Sequence, residues 1–271
     1  MSLPAPAADR TCLITGASSG IGADLARLFA RKGYGVTLVA RREDRLRALA
    51  DELSSTSPIR AKVVAVDLAD EAARDRLAAE VAGRGLTVDV LVNNAGFSTM
   101  GPVHKSDPSR EVAMIRTDVE AVAHLCSTFV PGMVARGRGA VLNVASTAAF
   151  QPLPGQAGYG ASKAFVLSYS RALAQEVKSN GVTVTALCPG PVETGFAEAA
   201  GITDDEAGDA LPKFMWVSSQ DVAAQAVAGL EKGRPVVIPG MPNRIAAGLA
   251  HLTPRKLLLP MLASRHPSLN D

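Results

Sequence analysis

The chain has 271 residues, 47% of them hydrophobic and 20% charged, a balance that supports a sizeable buried core and excludes a disordered chain. A formal net charge of +2 and only 4% aromatic residues argue against nucleic acid as the main partner. No apolar run reaches the roughly 18 residues that a membrane-spanning helix needs.

Taken in chain order, residues 1–9 are rich in Pro and Ala, lack the pattern of a signal peptide, and read as a loose tail. Seven short runs rich in Val, Leu and Ile are predicted strands: 10–15, 36–40, 61–66, 88–92, 140–144, 182–187 and 236–238. They show no strict alternation, as expected of parallel strands covered on both faces. Helical patterns lie between them. Ile21, Leu25, Leu28 and Phe29 share one face, as do Leu46, Leu49, Ala50 and Leu53. Long helices are predicted over 109–136 and 157–180. A helix over 218–233 opens on Ser218 and Asp221, spaced as a capping box, and closes on Gly233. This alternation predicts a doubly wound α/β sheet with right-handed crossovers and helices on both faces. It reads as a single domain over 1–271, with a substrate loop at 191–217 and a C-terminal extension at 241–271.

The first strand runs into Thr15-Gly16-Ala17-Ser18-Ser19-Gly20-Ile21-Gly22 and then a helix. Gly16 permits the tight turn, Gly20 lets backbone approach a pyrophosphate, and Gly22 lets the helix pack close to the sheet. Free N–H groups at the helix start then hold the phosphate charge. No Gly-Lys-Ser/Thr follows, which excludes a P-loop. The second strand ends in Ala40-Arg41-Arg42, where an acidic residue would bind ribose hydroxyls and repel a 2′-phosphate. Arginines there pair with a phosphate, so NADP(H) is expected over NAD(H). Asp67, ending the third strand, is placed to accept from the adenine amino group.

Tyr159 and Lys163 are four residues apart, which puts both on one helix face. An isolated tyrosine has a pKa of about 10. A neighbouring ammonium favours the phenolate and brings proton exchange within reach. Lys163 can also bond the nicotinamide ribose. Ser146 ends the fifth strand, at the sheet edge where ligands bind in open α/β folds, and its hydroxyl can polarise a substrate carbonyl.

These pieces, with Asn93-Asn94-Ala95-Gly96, Tyr159-Gly160-Ala161-Ser162-Lys163 and Pro189-Gly190-Pro191-Val192-Glu193-Thr194, resemble the short-chain dehydrogenase/reductase family in its compact branch. They occur in family order over residues 10 to about 240. The resemblance implies a seven-stranded Rossmann sheet, and a homodimer or homotetramer built on the two long helices. It implies that Gly16, Ser18, Ser19, Gly20, Ile21, Gly22, Asp67 and Leu68 help hold the cofactor. Asn94, Ala95 and Gly96 would line the adenine-ribose side; Pro189, Gly190, Val192 and Thr194 would hold the nicotinamide end. One position departs from the family pattern. The usual asparagine in the fourth helix is replaced by Asp118, which accepts but donates no amide N–H, and which is expected to raise the lysine pKa and alter the proton relay.

Phe97, Met100, Phe150, Pro152, Phe196, Leu211, Phe214, Met215 and Trp216 are expected to converge on an apolar pocket suited to ketones, acyl chains or steroid-like substrates. The C-terminal extension mixes leucines with basic residues and is interrupted by Pro254 and Pro260. A covering or packing role is therefore expected for it in preference to membrane contact. Cys12, Cys126 and Cys188 fit neither a disulfide framework nor a zinc site and read as reduced, buried thiols of a cytoplasmic protein. Four scattered histidines predict no metal site. The expected function is an NADP(H)-dependent oxidoreductase for a carbonyl/alcohol pair. The alternative, a catalytically impaired sensor or scaffold on the same fold, has Asp118 as its only support. A sugar-nucleotide epimerase is disfavoured by the close-set glycines and the arginines after strand two.

Overall fold

The computed structural model describes residues 3–193, 212–265 and 269. Seven parallel strands form one sheet in the order β3-β2-β1-β4-β5-β6-β9. They are β1 (Arg10–Thr15), β2 (Val36–Ala40), β3 (Ala61–Ala65), β4 (Thr87–Asn93), β5 (Gly139–Val144), β6 (Val182–Leu187) and β9 (Val236–Val237). Chain order reverses between β1 and β4, which pair from Arg10↔Thr87 to Ile14↔Val92. That reversal opens a crevice beyond the carboxyl ends of both strands.

Successive strand residues face opposite ways and feed two cores. Cys12, Ile14, Val36 and Leu38 join Leu25, Phe29, Leu46 and Val227 on one side. Leu13, Val39, Leu91 and Val141 join Leu77, Leu125 and Val166 on the other. Burial on both faces is the reason the strands read as continuous apolar runs. Helices α1 (Gly20–Arg31), α2 (Glu43–Thr56) and α7 (Ser219–Glu231) cover the first face; α3 (Glu71–Gly83), α5 (Ala121–Ala135) and α6 (Ala157–Glu176) cover the second. The three cysteines are free and buried, and burial pushes the thiols of Cys126 and Cys188 up to about 12.

Four expectations need correction. The described part of the N-terminal segment is tied down: the Tyr34 hydroxyl donates to Pro4 O at 2.7 Å, and Thr87 N–H donates to Asp9 O at 2.9 Å. The helix expected over 109–136 is α4 (Pro108–Ile115), a π turn (Arg116–Glu120) and α5. The helix expected over 157–180 stops at Glu176, and a short 3-10 turn (Lys178–Asn180) leads to Gly181 at φ +73°. Finally, the two ends of the long connection pair as short parallel strands, β7 (Val192–Glu193) and β8 (Val217–Ser218). Ser218 caps the next helix: Asp221 N–H donates to Ser218 Oγ at 3.1 Å, and the Asp221 carboxylate bonds the same hydroxyl, Ser218 Oγ donating to Asp221 Oδ2 at 2.8 Å. The C-terminal extension forms α8 (Met241–Leu252) and α9 (Arg255–Arg265).

At the amino end of the sheet, Asp89 of β4 is buried among three guanidinium groups. Arg10 Nη1, Arg136 Nη2 and Arg138 Nε lie 3.5, 3.2 and 3.4 Å from its carboxylate.

Candidate active site

The glycine turn leaves β1 with Gly16 at φ +65° and enters α1 with Gly20 at φ +54°, both in the left-handed region. A Cβ on Gly22 would collide with the carbonyl oxygen of Gly16. Ser19 makes no side-chain cap on α1, so the leading N–H groups of that helix suit an external anion. Arg42 reaches over the turn: its Nη2 donates to Ser18 Oγ at 2.9 Å and to Ser19 Oγ at 2.8 Å. Arg41 is exposed beside it. A phosphate-sized cradle with a guanidinium at its rim fits a dinucleotide bearing an extra phosphate.

The turn is braced from β4. Asn94 and Ala95 N–H groups donate to Thr15 Oγ1 at 2.9 and 3.0 Å, and Asn94 Nδ2 donates to Thr15 O at 3.0 Å. Asn94 thus shapes the cradle with its side chain. At the end of β3, exposed Asp67 accepts from Ala69 N–H at 3.0 Å. Leu68 is buried, and its carbonyl accepts from Arg74 Nη1 at 2.6 Å. Buried Arg74 also pairs with Glu120 and donates to His124 Nδ1 at 3.3 Å, which joins this loop to the π turn and α5.

Asp118, Ser146, Tyr159 and Lys163 come from three elements and meet beyond the carboxyl ends of β4 and β5. Lys163 Nζ lies 2.9 Å from Asp118 Oδ2, donates to Val144 O at 3.3 Å, and stands 5.5 Å from the centre of the Tyr159 ring. Asp118 Oδ1 accepts from Phe97 N–H at 3.0 Å. A Cβ on Gly96 would crowd that carboxylate at 2.9 Å, so glycine admits the close approach. The wide π turn carries Asp118 inward, while Thr117 Oγ1 donates back to Ala113 O at 2.9 Å. Tyr159 and Ser146 are hydrogen-bonded through their side chains. Ser146 Oγ also accepts from Ala148 N–H at 3.1 Å.

The electrostatics of this group are coupled. Burial opposes charge on Lys163, but the negative charge of Asp118, with Tyr159, outweighs it and holds the ammonium above its ordinary range. Burial raises Asp118, with Lys163 pulling the other way. Burial also raises Tyr159; Lys163 and Ser146 favour the phenolate, while Asp118 opposes it. The sequence expectation that Asp118 lifts the lysine therefore agrees with the geometry: the two groups touch directly.

At the far end of the crevice, the Pro189 carbonyl accepts from Thr147 N–H at 2.9 Å. Gly190 lies against Asn243 of α8, where a Cβ would overlap the amide. Asn243 Nδ2 donates to Met215 O at 2.9 Å and to Pro239 O at 3.1 Å. Val192 pairs with Val217. Thr194, Phe196 and Leu211 lie outside the described residues. The expected apolar convergence is not what the other candidates form. Phe150 and Pro152 line a cavity of about 700 Å³ with Ala161 and Ala164, and that cavity includes neither Tyr159 nor Lys163. Helical phase explains this: Ala161 and Ala164 face away from the tyrosine. Phe97, Met100, Met215 and Trp216 are half-buried, while Phe214 is exposed.

Sequence reading missed Thr15, Asn243 and a buried polar chain behind the site. In that chain Asn93 Nδ2 donates to Asn143 Oδ1 at 2.8 Å, and Asn143 Nδ2 donates to Ser170 Oγ at 2.9 Å. The available signal was two asparagines inside otherwise apolar strands, which need partners once buried. Among the described residues no cluster suits a metal ion, and no helix is long and apolar enough to cross a membrane.

Comparison with known proteins agrees with this architecture. The NADP-dependent 3-hydroxy acid dehydrogenase YdfG of Salmonella typhi is 35% identical over 213 residues, covering 78% of this chain and 84% of that protein. The structure of a short-chain dehydrogenase from Sphingobium yanoikuyae in complex with NADPH superposes with a TM-score of 0.80 at 32% identity, over 93% of this chain and 95% of that one. A structure of 7beta-hydroxysteroid dehydrogenase superposes with a TM-score of 0.85 at 25% identity, over 97% of this chain and 99% of that one. The sequence model described as short chain dehydrogenase matches residues 10–205. With the glycine turn, the wound sheet and the half-buried tyrosine beside its buried lysine in place, the chain belongs to the short-chain dehydrogenase/reductase family.

Proposed function

We propose that the protein is an NADP(H)-dependent oxidoreductase that interconverts an apolar ketone and its alcohol, with Tyr159 as proton donor and acceptor. The observation that carries this reading is the meeting of Ser146, Tyr159, Lys163 and Asp118 at one sheet edge. The NADP-dependent relative and the NADPH-bound neighbour support the cofactor, as does Arg42 over the phosphate cradle. Gly16 to Gly22, Arg41, Arg42, Asp67, Leu68, the 94–96 loop, Pro189, Gly190, Val192 and Thr194 would hold it. When bound, NADPH supplies the hydride.

The protein's own groups handle the proton. In reduction, Ser146 donates a hydrogen bond to the substrate oxygen, and the Tyr159 phenol gives that oxygen its proton. Burial and the charge of Asp118 favour the neutral phenol, the form that gives up a proton in reduction. Lys163 stabilises the phenolate left behind, and Asp118 keeps Lys163 charged. In oxidation the roles reverse, so the rate rises as Tyr159 deprotonates. Half-buried Phe97, whose backbone N–H donates to Asp118, supports an apolar substrate side. Exposed Val112 and Ile115 on α4 and Phe165 on α6 support pairing of copies through the long helices.

Tyr159→Phe tests the core of the reading. NADPH binding, followed by fluorescence, should survive while ketone-dependent NADPH oxidation is lost. Retained turnover would remove Tyr159 as the proton donor.

A further inference from the structure

Surface helices ordinarily turn bulky apolar residues inward and polar residues outward. Helix α8 does the reverse. Its buried face carries Asn243, Ala247 and Ala250. Its opposite face carries Met241, Ile245, Leu249 and Leu252, which are 57 to 79% exposed. At spacings of four, four and three they form one stripe along the helix. Leu257 and Met261 are exposed one turn apart on α9. Phe214, 71% exposed, precedes Met215, which is tied to α8 through Asn243, and so stands beside the same helix.

Along α8 and α9 the charges have one sign. Residues 241–265 contain four Lys or Arg and no Asp or Glu. Exposed Lys256 and Arg244 flank the stripe, and Lys213 adjoins Phe214. The first 240 residues carry 24 basic and 25 acidic groups, so the positive excess of the chain is concentrated here. A two-fold contact between copies would set each patch against itself. Cations of α8 and α9 would then face cations with no carboxylate on either helix to separate them, an arrangement that costs affinity. An apolar stripe on two helices whose charges are all cationic instead matches the boundary layer of an anionic lipid bilayer.

We propose that α8 and α9, with Phe214, seat the protein on the surface of an anionic bilayer. The apolar side chains enter the acyl boundary, and Lys213, Arg244 and Lys256 meet lipid phosphates. No helix among the described residues can cross a membrane, so the attachment is peripheral and reversible. On its opposite, buried face the same helix holds Met215, two residues before β8, through Asn243, so the seated helix is fixed to the end of the substrate loop.

The test is flotation of the full chain with vesicles of phosphatidylcholine alone, or of phosphatidylcholine with phosphatidylglycerol, at low and high salt. Co-flotation with the anionic vesicles, much reduced on neutral ones and reversed by salt, is expected. Lys256→Ala should lower partitioning roughly fivefold. The double substitution Leu249→Glu, Leu252→Glu should abolish flotation while NADPH binding and sedimentation stay unchanged. Equal flotation on both vesicle types, or on neither, overturns the proposal. So does a fall in oligomer size in the double variant, which would assign the stripe to a second copy of the chain. If the double variant loses NADPH binding through misfolding, Lys256→Ala and the salt titration of the natural chain decide the matter.

Discussion

Two aspartates are buried at opposite ends of the same sheet, and they are solvated by the protein in different ways. Asp89, at the amino end, faces three guanidinium groups from the start of β1 and the approach to β5. Asp118, at the carboxyl end, has one lysine and one backbone N–H. The cations around the first carboxylate otherwise bond only local groups, Arg10 pairing with Asp9 and Arg136 donating to Val88 O, and together they fasten neighbouring strand starts. The second shares its cation with a tyrosine, so its charge is felt by a group that exchanges protons. Burial of a carboxylate alone does not mark a working site; what the partner cation also touches decides it.

Breaking each pair should separate stability from chemistry. Lys163→Met is expected to have the largest effect. It leaves Asp118 buried without a counter-ion, at a cost of about 3 to 5 kcal/mol, and it should lower turnover by about 100-fold or more. Thermal unfolding and NADPH oxidation measure the two effects; a stable, fully active variant would contradict the pairing. Asp89→Ala is next. Its arginines reach solvent, so a loss of about 2 kcal/mol is expected in denaturant unfolding, with kcat unchanged. A fall in kcat without destabilisation would show that the amino end communicates with the site.

Arg42→Ala bears on neither aspartate and serves as a reference cation. Its loss should weaken NADPH about tenfold while leaving NADH little changed. An equal effect on both would remove the phosphate-pairing argument. Asp118→Asn is the subtlest. Asp118 raises both Lys163 and Tyr159, so removing its charge lowers both pKa values. The rise of alcohol oxidation with pH should then begin at lower pH, with maximal kcat retained or raised. A profile that does not move would show that Asp118 is electrically separate from the tyrosine.

Much of this was readable in the sequence, for identifiable reasons. Strands buried on both faces announce themselves as apolar runs, and the glycine turn combines positive φ with collision limits that only glycine meets. Tyr159 and Lys163 are local to one helix, so spacing alone puts them together. The π turn was not readable, because one added residue in a helical turn leaves the surrounding periodicity almost intact. Its cause is distant in the chain: Asp118 is drawn toward Phe97 and Lys163. Arg74 and Asn243 escaped for the same reason, since each connects segments far apart in sequence.

The pairing of β7 with β8 has an evolutionary consequence. Val192 and Val217 meet at the root of the long connection, so the chain leaves and rejoins the scaffold at one fixed gate. Lengthening a segment closed in this way costs entropy only logarithmically. New specificities can therefore arise by exchanging the segment between the two valines as an interchangeable cassette, while the proton machinery keeps its alignment.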